Sequence, residues 1–453
     1  MSLRPIIEQE IREHDPIPFS RFMELCLYHP ELGYYSRHAE QFGKAGDFYT
    51  SSDVHAVFGR LLARQFEEIW RVLGSPERIE VLELGPGRGL FAQDVLDWSA
   101  RKFPDFFRAL HYSLSESSNA LRQRLQSTLS KHFAAGKASL SPETGSDRGE
   151  TATGAATRRI STEKSTLMDA PWKGTTSVVP NRPLLERASA PGVRSGPVII
   201  FANEYFDALP VEVLSSQGAL RISVEKGRFV ETWASPTSEE MDFLDRYAVH
   251  PEPDERIEVP LIAQQSMARI ASDIECGILI AIDYGYTRDE QLAGHHRGTV
   301  TAFRQHSVSV NPYEAPGEQD ITSHVNFTAL AAAAEQSGMH AHPLLTQSQF
   351  LMGIGEANQF ADAFEECRLP QERAKVALQL KHLVTPAGMG ENFHVLVAAK
   401  GVDAKDLGGL SGCSPPADDS AHKNNFSSYK NLSWKTMVPR GMCGHLRTTA
   451  TNQ

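Results

Sequence analysis

Residues Glu80-Val81-Leu82-Glu83-Leu84 form a short apolar strand that runs into Gly85-Pro86-Gly87-Arg88-Gly89, a turn with glycine at every second position. A helical pattern follows, carrying Phe91, Val95 and Leu96. Strand, glycine turn and helix in succession are how doubly wound α/β folds build a nucleotide pocket. Glycine is wanted there because backbone without a Cβ can lie close against a ligand. The spacing narrows the ligand. A dinucleotide turn reads G-x-G-x-x-G, whereas here the third glycine comes one residue early and Leu90 stands where that pattern places Gly or Ala. A nicotinamide-dependent oxidoreductase is therefore the weaker reading of the turn.

Apolar runs at 110–115, 197–202 and 277–282 read as further parallel strands buried on both faces, and residues 391–400 as a late strand that completes the sheet. Glu116 ends the second strand. An acid at that place accepts hydrogen bonds from ribose hydroxyls. Upstream, a polar helix is expected at 3–14 and another from Phe19 to Tyr28. An amphipathic helix runs from Val54 to Leu73, with Asp53 as N-cap and Gly74 as C-cap. A hairpin is expected over 218–234, turning at Lys226-Gly227, and an Ala-rich helix from Phe327 to Gly338. Residues 137–195 are rich in Ser, Thr, Gly and Arg without a sustained period and read as a flexible insertion. Residues 401–453 read as a disordered tail. The expected organisation is thus a helical segment over 1–78, an α/β domain over 79–400 and the tail.

Bulk properties exclude several classes. The 453 residues are 41% hydrophobic and 22% charged, ordinary for a soluble globular protein. A net charge of −11 argues against general affinity for nucleic acid phosphates and is compatible with a cationic substrate such as an Arg or Lys side chain. No run of 18 apolar residues is present, so no membrane span is expected. The five cysteines form no C-x-x-C pair, which speaks against a disulfide framework or a structural zinc site and for a reducing compartment. Residues 1–15 contain Glu8, Glu10, Glu13 and Asp15, unlike a transit peptide, and a cytoplasmic location is expected.

The stretch Glu83-x-Gly85-x-Gly87-x-Gly89 resembles the first motif of S-adenosylmethionine (SAM) dependent methyltransferases. An acid beside the turn suits the ammonium and sulfonium of SAM. Gly46-Asp47-Phe48-Tyr49-Thr50-Ser51-Ser52-Asp53-Val54 precedes it, and Ala202-Asn203-Glu204-Tyr205-Phe206-Asp207-Ala208-Leu209-Pro210 follows. Then come Ile282-Asp283-Tyr284-Gly285-Tyr286, Arg304-Gln305-His306 and Gln319-Asp320-Ile321-Thr322-Ser323-His324-Val325-Asn326-Phe327. Together, and in this order, these segments resemble the MidA family of class I SAM-dependent methyltransferases over residues 5–400. The resemblance implies a Rossmann-like α/β core with an N-terminal helical segment, inserted lobes and a loop covering the cofactor. For mitochondrial members it implies symmetric dimethylation of an arginine on a subunit of respiratory complex I, and so a protein substrate here. A catalytically idle SAM-binding assembly factor is the alternative.

Within that frame the residues take provisional roles. Glu83, Gly85, Gly87, Gly89, Glu116 and Asn203 are expected at the cofactor, with Thr50 and Asp53 from the covering loop. A guanidinium has a pKa above ~12 and is a poor nucleophile. Carboxylates can orient it, localise its charge and help its proton leave. Glu204 and Asp207, three residues apart, could share a face of a helical turn and are the catalytic candidates. Asp283, Tyr284, Arg304, His306, Asp320 and His324 are candidates for the substrate side. His306, Asp320 and His324 match no trusted metal spacing, so no metal is expected. The pair His295-His296 reads as surface.

Overall fold

The computed structural model describes residues 2–37, 56–141, 196–304, 307–309, 311–356 and 358–413. Its centre is a nine-stranded sheet. The principal strands are β1 (Ile79–Leu84), β2 (Leu110–Ser115), β3 (Ala138–Leu140), β4 (Val198–Asn203), β5 (Gly277–Tyr286) and β6 (Phe393–Lys400). Their spatial order is β3-β2-β1-β4-β5-β6. All neighbours run parallel except β6, which is antiparallel to β5. His340–Ala341 and Leu345–Thr346 pair with β6, and Val325–Asn326 pairs with β5.

The apolar runs become strands because each serves two cores. Alternate side chains leave a strand on opposite faces. Val81, Phe201 and Ile280 point into one core, with Phe66 of α3 (Ala56–Val72) and Phe91 of α4 (Leu90–Lys102). The Phe91 and Phe201 rings stack there with centroids 4.5 Å apart. Leu82, Ile200, Ala202 and Leu279 face the other way, against α6 (Leu261–Ser272) and α7 (Phe327–Gln336). From β1 the chain moves outward through β2 and β3, then crosses back to β4. The carboxyl ends of β1 and β4 thereby form the crevice where open α/β sheets bind ligands.

Two smaller sheets add lobes. One joins Ile17–Pro18, Glu212–Ser215, Gly218–Glu225, Arg228–Ala234 and Ile257–Val259. Its hairpin turns at Lys226 and Gly227, both left-handed, as the spacing predicts. The other joins Thr301–Arg304, Ser307–Ser309 and Asp320–Thr322. The helices α1 (Arg4–His14) and α2 (Phe19–Tyr28) pack on both sheets through Ile7, Phe22, Leu220, Ile222 and Ile321. This N-terminal lobe sits at the ligand end of the core.

Several expectations need correction. Residues 138–140, assigned to the insertion, form β3. Residues 142–195 lie outside the described residues. The tail does not begin at 401, because Ala404, Leu407 and Leu410 are buried in the main core and Gly408–Cys413 forms a 3-10 turn. Residues 414–453, like the Asp53 cap, are outside the described residues. Strand β5 runs on to Tyr286, since Gly285 and Tyr286 find a parallel partner in Val325–Asn326.

Candidate active site

The glycine turn leaves β1 with Gly85, Gly87 and Gly89 all at positive φ. Among the described residues, a Cβ on Gly87 would meet nothing within 4 Å, so this glycine is open towards the crevice there. Gly89 differs. A Cβ there would come within 2.6 Å of Leu125 on α5 (Asn119–Thr128), so Gly89 serves helix packing rather than ligand contact. Gly85 lies against the Tyr205 ring.

Glu116 ends β2 as expected and is half-buried. Its Oε1 accepts the Ser118 amide at 2.8 Å. Burial lifts its carboxyl to about 7, against the pull of the amides of Ser118, Ser117 and Gly87. Glu116 and the glycine turn therefore meet. Glu83 does not behave as the resemblance implies. It is buried and accepts a hydrogen bond from the Tyr112 hydroxyl on the neighbouring strand at 2.8 Å. Burial raises it to about 8, so at neutral pH this group is mostly uncharged rather than an anion beside a cation.

The end of β4 is built by Asp283. Residues 204–207 form no helical turn, and Glu204 adopts φ +50°. Holding a non-glycine residue there costs about 1–3 kcal/mol unless the surroundings impose it. They do so here. The Glu204 amide donates to Ile282 O at 2.9 Å, and Asp283 Oδ2 accepts the amides of Tyr205, Phe206 and Asp207 at 3.2, 2.9 and 3.2 Å. Asp283 is 1% exposed. Its other oxygen accepts the Tyr284 amide at 2.9 Å, so its carboxyl is given over to backbone and clamps this turn. Asn203 Nδ2 donates to Glu204 Oε1 at 3.0 Å, whereas Asn203 Oδ1 is buried and accepts no hydrogen bond from the described residues.

The N-terminal lobe supplies residues that the sequence reading missed. Tyr28 and Tyr35 bring their rings to 5.5 Å from each other. The Tyr28 hydroxyl donates to Ala208 O at 3.0 Å, and the Tyr35 hydroxyl to Asp320 Oδ1 at 2.9 Å. Asp207 and Asp320 are both buried. Burial pushes the Asp207 carboxyl well up, and the nearby Asp283 and Asp320 carboxyls push it further. Burial raises the Tyr28 hydroxyl, and Tyr205, Asp320, Asp207 and Glu116 raise it further, so Glu116 and the two aspartates lie in its neighbourhood. The Tyr284 hydroxyl is raised by burial and then by Glu204, Asp207 and Asp283.

Other candidates lie apart. Arg304 is exposed and pairs with Glu318 at 2.9 Å. It is not brought to the crevice. His324 stacks beside Tyr284, but its Nδ1 is 3.1 Å from His296 Nδ1. His296 is thus half-buried rather than a surface residue. Burial, then His296 and His394, lower His324 to about 4. Among the described residues no group of three or more His, Cys, Asp or Glu could hold a metal ion. Thr50, Asp53 and His306 lie outside the described residues.

A family profile described as S-adenosyl-L-methionine-dependent methyltransferase matches residues 61–345. The chain belongs to this MidA-like methyltransferase family. It is 28% identical over 424 residues to the Drosophila melanogaster protein arginine methyltransferase NDUFAF7 homolog, mitochondrial, covering 90% of this chain and 86% of that one. The human protein arginine methyltransferase NDUFAF7, mitochondrial, is 26% identical over 403 residues, covering 85% and 80%. A likely methyl transferase of the COG1565 superfamily from Burkholderia thailandensis, solved with S-adenosyl-homocysteine, shares the fold at a TM-score of 0.67 and 24% identity. It covers 90% of this chain and 94% of that one.

The cofactor of this methyltransferase is SAM, and the nicotinamide alternative falls with the family. Its residues fit that ligand. Open space at Gly87 admits it, Glu116 faces that turn, and the orphaned Asn203 Oδ1 is an acceptor for an ammonium or amino group. When bound, SAM supplies an electrophilic methyl group on a sulfonium.

Proposed function

We propose that this methyltransferase modifies arginine side chains of a protein. The observation that carries the reading is the acidic wall beyond the cofactor turn, where Asp207 and Asp320 lie buried together beneath Tyr28 and Tyr35. Like carboxyls so placed resist ionisation, and a cation between them relieves the cost. A guanidinium is flat, carries its own charge and offers donors to two acids at once. The names of the insect and human relatives support the same choice.

Glu204 and Asp207 would orient the guanidinium through its N–H groups and set one nitrogen in line for attack. Correct placement can be worth ~7–11 kcal/mol. Transfer of the methyl group to that nitrogen would break the sulfur–methyl bond, leave S-adenosylhomocysteine and release one proton from the nitrogen, which Glu204 would accept. Asp283 contributes by holding the turn that presents Glu204.

Symmetric dimethylation and a role in respiratory complex assembly belong to the same proposal, as does a cytoplasmic location. The insect and human relatives carry names that place those proteins in mitochondria. The test is transfer of a deuterated methyl group from SAM into an extract of the source cells, followed by hydrolysis and mass spectrometry. Labelled ω-N-methylarginines are expected. Label confined to lysine or to small molecules would overturn the reading.

A further inference from the structure

Tyr35 stands where the two halves of the site meet. It lies in the short turn Tyr34–Ser36 of the N-terminal lobe. Its main-chain oxygen accepts from Ser118 Oγ at 2.6 Å, and the Ser118 amide donates to Glu116 Oε1 at 2.8 Å. Its hydroxyl donates to Asp320 Oδ1 at 2.9 Å. One residue thus touches the loop of the ribose acid through its backbone and the aspartate wall through its side chain. Tyr34 flanks the ring edge-on at 5.2 Å, and Tyr28 at 5.5 Å. Tyr28 satisfies its hydroxyl with a neutral carbonyl, which is all that packing requires. Tyr35 instead spends its donor on a carboxyl that is 5% exposed and faces a second buried acid.

We propose that Tyr35 is a positioning residue for methyl transfer, holding Asp320 in register with the cofactor side so that Asp207 and Asp320 together receive a cationic acceptor. The inference rests on the reading above that this wall faces the acceptor. Its physical ground is simple. A hydrogen bond donated to a carboxylate constrains where its oxygens lie. Without that bond one constraint on the Asp320 carboxyl is gone, and it meets a cation less well placed beside Asp207.

The experiment is calorimetric titration of S-adenosylhomocysteine-saturated protein with N-acetyl-L-arginine N-methylamide at pH 7.5. Wild type, Tyr35→Phe, Asp320→Asn and the double variant are compared. Tyr35→Phe should bind the probe roughly ten-fold more weakly, because a hydrogen bond to a carboxyl group is lost. Affinity for S-adenosylhomocysteine should be the same in all four proteins, and in the Asp320→Asn background the Tyr35 substitution should add nothing. Two results would overturn the proposal: wild-type affinity in Tyr35→Phe, or a loss that persists unchanged in the Asp320→Asn background. Failure of the underlying reading looks different. Wild type would then bind the arginine probe no better than its neutral citrulline counterpart.

Discussion

Carboxyl groups at this sheet edge differ less in chemistry than in what they are bonded to. Asp283 spends both oxygens on backbone amides and shapes a turn. Glu83 takes a tyrosine hydroxyl and stays largely protonated. Glu116 lies beside the glycine turn, and Asp207 is buried near the Asp283 and Asp320 carboxyls. For Glu83 the consequence is measurable. The folded protein holds a proton that the unfolded chain releases near 4.5, so the group's contribution to stability is complete below that pH and is lost as pH rises through about 8. Glu83→Gln keeps an acceptor for Tyr112 and never ionises. Urea unfolding should show the variant gaining on wild type at pH 8.5 but not at pH 5, and an equal gap at both pH values would refute the assignment. Spacing alone could place Glu83 beside the glycine turn, but not show that its carboxyl meets Tyr112. Tyr35 was out of reach for another reason. Its partners Ser118 and Asp320 lie 83 and 285 positions away, and only the tertiary fold brings them together.

At the level of elements, long apolar runs were the readable part. β1, β2, β4 and β5 are buried on both faces, so their composition alone betrays them. Short polar strands such as Thr301–Arg304 carry no such mark, and the pairing of Arg304 with Glu318 could not be read from the sequence. The segment after Gly401 was misread through its glycines and serines. Those glycines are required by close packing, since Gly408 and Gly409 donate their amides to Glu68 and Gln65 on α3. Leu410 is 2% exposed within the main core. Leu410→Ala should therefore lower unfolding free energy by about 2–5 kcal/mol in urea titrations. A change below about 0.5 kcal/mol, as at an ordinary surface position, would mean that the segment is not docked.

Across the whole molecule, the methyltransferase core supplies the cofactor crevice and the added lobes supply its surroundings. β1, β2 and β4 bring Gly87, Glu116 and Asn203 to one edge. The N-terminal lobe adds Tyr28 and Tyr35, and the small three-stranded sheet adds Asp320. On the proposed reading, cofactor recognition belongs to the core and the choice of acceptor to the lobes. The most direct test is turnover of SAM with protein acceptor by wild type and Glu204→Gln, alongside the SAM dissociation constant of each. If Glu204 takes the acceptor's proton, kcat should fall by roughly 10²- to 10⁴-fold while SAM affinity stays the same. Wild-type turnover in Glu204→Gln would contradict the account.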